Sequence, residues 1–266
     1  MSVTTRTTAV VLAAGQGKRM GSDLPKVLHP LSGRPLMSYA IANVRAAGAD
    51  SVVVVVGYRR ELVEEALADE DVAFAVQTEQ RGTGYAVLAA GDHLRGDGDV
   101  LVVYGDMPLL TAATLRRLRE RRRETDAAAV ALTITLDNPP DFGRIVRDEA
   151  GRVRRVVEVR DASAEELAIR EVNVGAYCFS APHLLPALER LRSDNAQGEY
   201  YLTDVLGILV DDGLDVETVS TDDLEETLGI NDLVHLAFAE KLEDVRYAES
   251  LYDLVDAVAR AARRQP

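Results

Sequence analysis

An α/β fold, built on a mostly parallel sheet with helices on both faces, is what this 266-residue sequence predicts, and two observations carry the prediction. Short, almost wholly apolar runs alternate with segments of helical period through the first half of the chain. That is the pattern of strands buried on both faces and joined by crossover helices. Two loops, one around Gly15 and one at Asp106, each follow such a run directly, and ligands of sheets of this kind bind at the carboxyl ends of the strands.

Taken in order, strands are expected near 8–13, 51–57, 72–76, 99–104 and 128–135, and helices near 35–47, 59–68, 83–94 and 112–124. Beyond Asn138-Pro139-Pro140 the texture changes. Residues 143–147, 153–159 and 171–179 read as strands with shorter links, an addition to the same sheet and not an independent domain. From Asn231 the chain reads as helix. Leu233, Leu236, Leu242 and Val245, then Leu251, Leu254, Val255 and Val258, fall at helical spacing. Low complexity is confined to the Ala/Arg-rich tail at 257–264.

Composition bounds the function. An apolar content of 47% fills a sizeable core. A net charge of −14 argues against nucleic-acid and anionic-membrane partners. It leaves a nucleotide substrate open, because local cations and a metal ion govern that. Cys178, the single cysteine, lies in an apolar run and is expected to be a buried, inert thiol. No apolar run approaches membrane-spanning length and the N-terminus has no signal-peptide pattern, so a cytoplasmic protein is expected.

The first loop reads Leu12-Ala13-Ala14-Gly15-Gln16-Gly17-Lys18-Arg19-Met20, followed by Leu24-Pro25-Lys26-Val27-Leu28. Glycines let backbone N–H groups approach an anion, and Arg19 and Lys26 add full charge beside them. Such a loop suits a nucleoside triphosphate. It is not a P-loop, since no G-x-x-x-x-G-K-[ST] string occurs, and it is not a dinucleotide loop, since Met20 stands where a small residue belongs. Asp106 ends an apolar strand, a natural position for a hard-oxygen ligand to Mg²⁺ and equally for a turn-forming aspartate. Several other features read as ordinary surface. The arginines of Leu115–Glu124 form a solvated helix face, and Asp211-Asp212 and Asp222-Asp223 are loop acids. His29, His93, His183 and His235 show no metal spacing.

Further blocks follow the loop: Gln77-Thr78-Glu79-Gln80-Arg81-Gly82-Thr83-Gly84, Tyr104-Gly105-Asp106-Met107-Pro108-Leu109, Phe142-Gly143-Arg144-Ile145, Val157-Glu158, Val172-Asn173-Val174-Gly175 and Asn195 to Asp204. In order and spacing, over about residues 8–245, the chain resembles sugar-1-phosphate nucleotidyltransferases. It is most like the uridyltransferase half of the bacterial bifunctional N-acetylglucosamine-1-phosphate uridyltransferase/glucosamine-1-phosphate acetyltransferases. The resemblance implies a Rossmann-like nucleotidyltransferase fold with a mixed, mostly parallel sheet. It divides the chain into 1–230, with a nucleotide-binding part at 1–137 and a sugar-binding part at 138–230, and a C-terminal helical segment at 231–266. Bifunctional members continue into a β-helix that carries acetyl transfer and builds the trimer. No hexapeptide repeat occurs in these 266 residues, so either a one-activity protein or a shortened bifunctional one is expected, and the oligomeric state is open.

The reaction implied is attack of a sugar-1-phosphate oxygen on the α-phosphorus of UTP, with pyrophosphate leaving, in a Mg²⁺-dependent site. Arg19 and Lys26 take the catalytic roles, and Lys18 reads as a solvated loop lysine. Leu12, Ala13, Ala14, Gly15, Gln77, Gly82 and Thr83 are implied in nucleotide binding. Tyr104, Gly143, Glu158, Asn173, Tyr201 and Thr203 are implied in sugar-phosphate binding. Asp106 and Asn231 are the implied metal ligands, with Asp232 competing and a helix N-cap as the other role open to Asn231. Glu158 could instead pair with Arg160, and Tyr201 could be core. Val174 and Val159 depart from the usual polar residues near the sugar pocket. Uridylyl or other nucleotidyl transfer to another sugar-1-phosphate such as glucose-1-phosphate therefore remains an alternative, and a catalytically silent sugar-nucleotide sensor the alternative outside enzymes.

Overall fold

The computed structural model describes residues 5–243. The chain opens with β1 (Arg6–Leu12), passes a small hairpin of β2 (Pro30–Leu31) and β3 (Arg34–Pro35), and enters α1 (Leu36–Ala46). Three strand–helix units follow: β4 (Ser51–Val56) with α2 (Arg60–Ala66), β5 (Ala73–Val76) with α3 (Thr83–Ala89), and β6 (Gly98–Tyr104) with α4 (Ala112–Thr125). Next come β7 (Ala129–Thr135), β8 (Arg144–Arg147), β9 (Val153–Val157), α5 (Ala164–Leu167) and β10 (Glu171–Ser180). The last labelled elements are α6 (Ala181–Leu188), α7 (Asp204–Asp211) and β11 (Val216–Ser220).

The main sheet runs in the order β11-β7-β10-β6-β1-β4-β5, with β8 hung from β10 and β9 paired in turn to β8. Along that path only β10 runs against its neighbours. The expected mixed, mostly parallel sheet is therefore present, and the strands after residue 138 join it. Alternation along the strands splits the core in two. Val10, Val53, Val55, Val100 and Val102 face α3, α6 and α7. Val11, Val52, Val54, Val56, Leu101 and Val103 face α1 and α4. Both faces are covered, which is why these strands read as continuous valine-rich runs.

One irregularity opens the site. β10 pairs with β6 only from Tyr177↔Val102 to Ser180↔Asp99, and its register against β7 shifts between Asn173 and Tyr177. β10 therefore leaves β6 where β6 ends at Tyr104. Gly175, at φ +97°, sits in the shifted stretch, and a Cβ there would lie 2.9 Å from the Tyr104 ring.

Several elements escape the sequence pattern. β11 is an edge strand whose VETVS sequence alternates weakly, and α6 carries Pro182 and Pro186. Asp211 ends α7 and Asp212 caps it, so this acidic pair belongs to a helix end and not to a loop. The arginine-rich face of α4 is not wholly solvated either. Asp99 is fully buried, with Arg122 Nε at 2.5 Å and Arg123 Nε at 2.6 Å, and Arg122 is only 10% exposed. Helical spacing alone does not distinguish arginines that reach water from those that neutralise a strand carboxylate. Helix α3 stops at Ala89, earlier than expected, with a 3₁₀ turn at Gly91–His93 where Leu185 of α6 packs close to Gly91. Cys178 is buried as expected, and burial pushes its thiol pKa up.

The chain is helical over 233–243. Leu236, Ala239 and Leu242 dock on a small cluster of Met20, Leu31, Leu36, Leu109 and Ile230. Leu233, by contrast, is exposed. Val245, Leu251, Leu254, Val255 and Val258 lie outside the described residues. No helix among the described residues is long and apolar enough to cross a membrane.

Candidate active site

The glycine loop leaves β1 pinned to both neighbouring strands. Ala13 N donates to Val55 O (2.9 Å), Tyr58 N to Ala14 O (3.2 Å) and Gly105 N to Leu12 O (2.9 Å). Gly57 permits this approach, since a Cβ there would lie 2.9 Å from the Ala14 Cβ. Gly17, at φ +67°, performs a second close approach: its Cβ would fall 2.5 Å from the Cβ of Lys26. Gly17 thus lets the Lys26 backbone pass close under the loop. Met20 turns inward as part of the small cluster that docks the 233–243 helix, which accounts for a large residue where a dinucleotide loop would need a small one.

Four of the expected polar residues meet here. Lys26 Nζ forms an ion pair with Asp106 Oδ2 and donates to Asn231 Oδ1 at 3.1 Å. Arg19 Nη2 donates to the same Asn231 oxygen at 3.1 Å. Ile230 N donates to the Asp106 carbonyl (2.8 Å), tying the backbone before Asn231 to Asp106. Asp232, not Asn231, caps the 233–243 helix, its Oδ1 accepting from Val234 N (3.0 Å) and His235 N (2.9 Å). Those backbone bonds, led by His235 N–H, lower the Asp232 pKa. Capping is thereby done without the Asn231 side chain. Lys18 is exposed.

Beside this cluster lies a cavity of about 320 Å³ lined by Leu12, Ala14, Gly15, Gln77, Gly82 and Thr83, with Lys26 and Asp106 at the same wall as Tyr104. Ala13 does not reach it; its side chain packs in the core on the α1/α4 face. Gln77 is buried and its Nε2 donates to Gly82 O at 3.2 Å. Gln80, which the sequence reading left unassigned, also lines the cavity and donates to Ala14 O at 3.2 Å. It stands in the same glutamine-rich block as Gln77, and that shared amide chemistry was the available signal.

The sugar-side residues form a neighbouring cluster around Glu158. Thr203 Oγ1 donates to Glu158 Oε1 at 2.9 Å. A Cβ on Gly143 would lie 3.5 Å from both Glu158 oxygens. Asn173 N donates to Gly143 O (2.8 Å), and Asn173 Nδ2 to the Tyr177 hydroxyl (2.7 Å). Glu158 pairs with Thr203 and not with Arg160, and burial raises its carboxyl pKa. Tyr201 is 7% exposed, and desolvation, with Asp161 and Glu158 nearby, pushes its hydroxyl pKa up to about 12. Asp204, which the sequence reading also missed, is pushed up to about 6 by burial and by Glu158 and Asp161 nearby.

Backbone contacts fuse the two clusters. Tyr200 N donates to Arg81 O (2.7 Å), Gly84 N to Tyr200 O (2.8 Å), and Leu202 N to Thr83 Oγ1 (3.1 Å). Arg81 lies over the Tyr200 ring at 4.7 Å and the Tyr85 ring at 5.4 Å. On the other side of Tyr104 and Asp106 a second, mainly apolar cavity of about 950 Å³ opens, with Phe142, Val174, Asn231 and Phe238 among its walls. Val174 thus faces the Asn231 side.

Residues 9–206 match the model of the MobA-like NTP transferase domain, and the chain belongs to that family. Among curated relatives it is 50% identical over 252 residues to the bifunctional protein GlmU of Burkholderia thailandensis, covering 95% of this chain and 55% of the relative. The GlmU of Burkholderia mallei is 49% identical over 242 residues, 91% of this chain and 53% of the relative. The chain therefore spans about half the length of the curated relatives it matches. Among solved structures, a UDP-glucose pyrophosphorylase complexed with UDP-glucose superposes with a TM-score of 0.71 at 17% identity, covering 91% of this chain and 99% of that one. At that identity the likeness speaks for the fold alone.

Proposed function

We propose that this chain transfers UMP from UTP to N-acetylglucosamine-1-phosphate, giving UDP-N-acetylglucosamine and pyrophosphate, with Mg²⁺ as cofactor. The observation that carries the reading is the convergence of Arg19, Lys26, Asp106 and Asn231 beside a cavity that also holds Gln77 and Gly82. The likeness to the GlmU proteins over 95% of this chain supports the choice of substrates.

The donor set fits a small hard cation. Asp106 Oδ2 and Asn231 Oδ1 already reach one cationic group, the Lys26 ammonium. Among the described residues no group of three or more His, Cys, Asp or Glu is arranged to hold a metal. One carboxylate and one amide leave the remaining coordination to phosphate oxygens and water, as magnesium prefers. When bound, the ion would neutralise phosphate charge and help align the reacting groups.

The protein's own groups do the rest. Both substrates are polyanions, so their repulsion is the first barrier, and the fixed charges of Arg19 and Lys26 offset it. Lys26 stabilises the charge that builds on the α-phosphoryl group. Arg19 holds the outgoing β- and γ-phosphates. The sugar phosphate is already an anionic nucleophile, so no base and no covalent intermediate are needed. Gln77, with its amide nitrogen engaged by Gly82 O, keeps a carbonyl oxygen to accept the ring N–H of uracil. Glu158 accepts from sugar hydroxyls, Asn173 orients the ring, and the Gly143 N–H meets the N-acetyl carbonyl.

Pyrophosphate release tests this directly, with UTP, N-acetylglucosamine-1-phosphate and Mg²⁺ beside panels of other nucleotides and sugar phosphates. Release confined to the first mixture is expected. Release only with another sugar phosphate overturns the acceptor, and silence in every mixture from a folded, UTP-binding protein overturns the enzymatic reading.

A further inference from the structure

The segment that carries Asn231 is held by a buried carboxylate whose purpose is not explained by helix capping. Glu226 is 3% exposed. Its Oε1 accepts from Thr111 N at 3.1 Å, from the Thr111 hydroxyl, and from Thr114 Oγ1 at 2.9 Å. Its Oε2 accepts from Thr114 Oγ1 at 2.8 Å and Thr221 Oγ1 at 3.0 Å. Among the described residues no cation within ion-pair distance accompanies it. A buried carboxylate is costly unless it is fully hydrogen-bonded, and here three hydroxyls and one amide meet it at the start of α4. The cap of α4 is already supplied by Thr111, whose hydroxyl accepts from Thr114 N at 3.2 Å. Glu226 is therefore additional to the cap, and what it adds is a link between α4 and the 221–231 segment.

That link has a consequence for the reacting groups. The chain from Asp106 to Thr111 and the chain from Glu226 to Asn231 run between the same two junctions. At one, Glu226 meets Thr111 and Thr114. At the other, Ile230 N donates to Asp106 O at 2.8 Å. Asp106 and Asn231 hang together from the second junction. The first fixes how far the two chains can slide past each other. We infer that Glu226 is a positioning residue, setting the separation of Asp106 and Asn231 through the α4 start. The inference rests on the reading of those two residues as the metal-holding pair.

The test compares Glu226→Gln, which keeps shape but removes charge, and Thr221→Val, which removes one hydroxyl from the segment side. Val63→Ala, a truncation in the core under α2 on the far side of β1, serves as a purely destabilising control. Mn²⁺ is titrated into each protein holding UDP-N-acetylglucosamine and followed by electron paramagnetic resonance, beside thermal melts and steady-state kinetics. Residues that orient metal ligands are typically worth about 10- to 100-fold in affinity. Glu226→Gln is expected to raise the Mn²⁺ half-saturation by about tenfold or more, with Thr221→Val shifted in the same direction and less. Catalytic rate should recover at high metal with the UTP KM unchanged. If Glu226→Gln and Thr221→Val melt earlier like Val63→Ala but keep the wild-type half-saturation, the residue is merely structural and the inference is overturned. If the wild-type protein itself takes up no Mn²⁺, the metal reading has failed, and the inference falls with it for that separate reason.

Discussion

Gly82→Ala is the substitution that most sharply tests whether the nucleotide and sugar clusters work as one unit. Gly82 sits at φ 108°, ψ 173°, a region essentially reserved for glycine. A Cβ there would lie 2.6 Å from Tyr200 O and 2.8 Å from Tyr200 N, about 0.6–0.8 Å inside the 3.4 Å at which ordinary contact begins. Both atoms are backbone, so no side chain can swing away. The strands of loop must part, and the bonds Tyr200 N–Arg81 O and Gly84 N–Tyr200 O are the ones that stretch. Gly151→Ala supplies the comparison. Gly151 also has a positive φ, +79°, but nothing lies within 4 Å of its Cβ position. Strain of this kind is worth about 1–3 kcal/mol, so both variants should melt early. Only Gly82→Ala should also displace Gln77 and Thr83 relative to Tyr201 and Thr203. A misplacement near 1 Å can lower rates by about 100-fold. Pyrophosphate-release kinetics are expected to show kcat/KM down by about that factor for Gly82→Ala and near wild type for Gly151→Ala. Equal kinetics in the two variants would refute the coupling.

Three further outcomes follow from the charges. Asp106→Ala should abolish pyrophosphate release while far-ultraviolet circular dichroism stays native, and Lys26→Ala should lower kcat much more than it raises the UTP KM, because its contact strengthens as phosphoryl charge builds; a Lys26 effect confined to KM contradicts that role. Asp204→Asn should stabilise the protein at alkaline pH. Its carboxyl pKa is raised from 3.8 to about 6, so between those values the native state keeps a proton that the unfolded chain has lost, and stability falls as pH rises through this window. Discounted for solvent screening of a partly exposed group, the penalty is about 1–2 kcal/mol above pH 6. Thermal melts should show a gain for the variant at pH 8 that disappears near pH 4, and an equal gain at both ends would refute the assignment.

The strands buried on both faces were legible because burial on two sides forces a continuous apolar run, and β1, β4 and β6 announce themselves that way. β11 was not legible, since an edge strand needs only partial burial and VETVS satisfies that without a run. Short helices such as α7 present too few turns for a period to stand out. The Asp99 ion pairs were hidden for a different reason. They join a strand start to the last turns of α4, and no local spacing records a contact made by the fold. In the candidate site, residues within a loop were easiest to single out, because Gly15, Gly17 and Lys26 act through one another at short range. Asn231 meets Asp106 only because the chain returns to that strand end after the sheet is complete. Asp232 could be told from Asn231 only by seeing which side chain caps the helix.

The charge distribution gives the proposed reaction a direction. The chain carries −14 overall, yet Arg19 and Lys26 converge at the Asn231 end. At the other end burial raises the carboxyl pKa values of Glu158 and Asp204, with the Asp161 charge nearby adding to both. A polyphosphate placed among those carboxylates would be repelled, whereas neutral sugar hydroxyls can donate to them. A polyphosphate placed against Arg19 and Lys26 is held. In the proposed reaction the site would then discriminate by field as well as by shape. Each substrate would have one end at which it is tolerated, and the two tolerated ends would meet at Tyr104 and Asp106, where the phosphates of both would face each other.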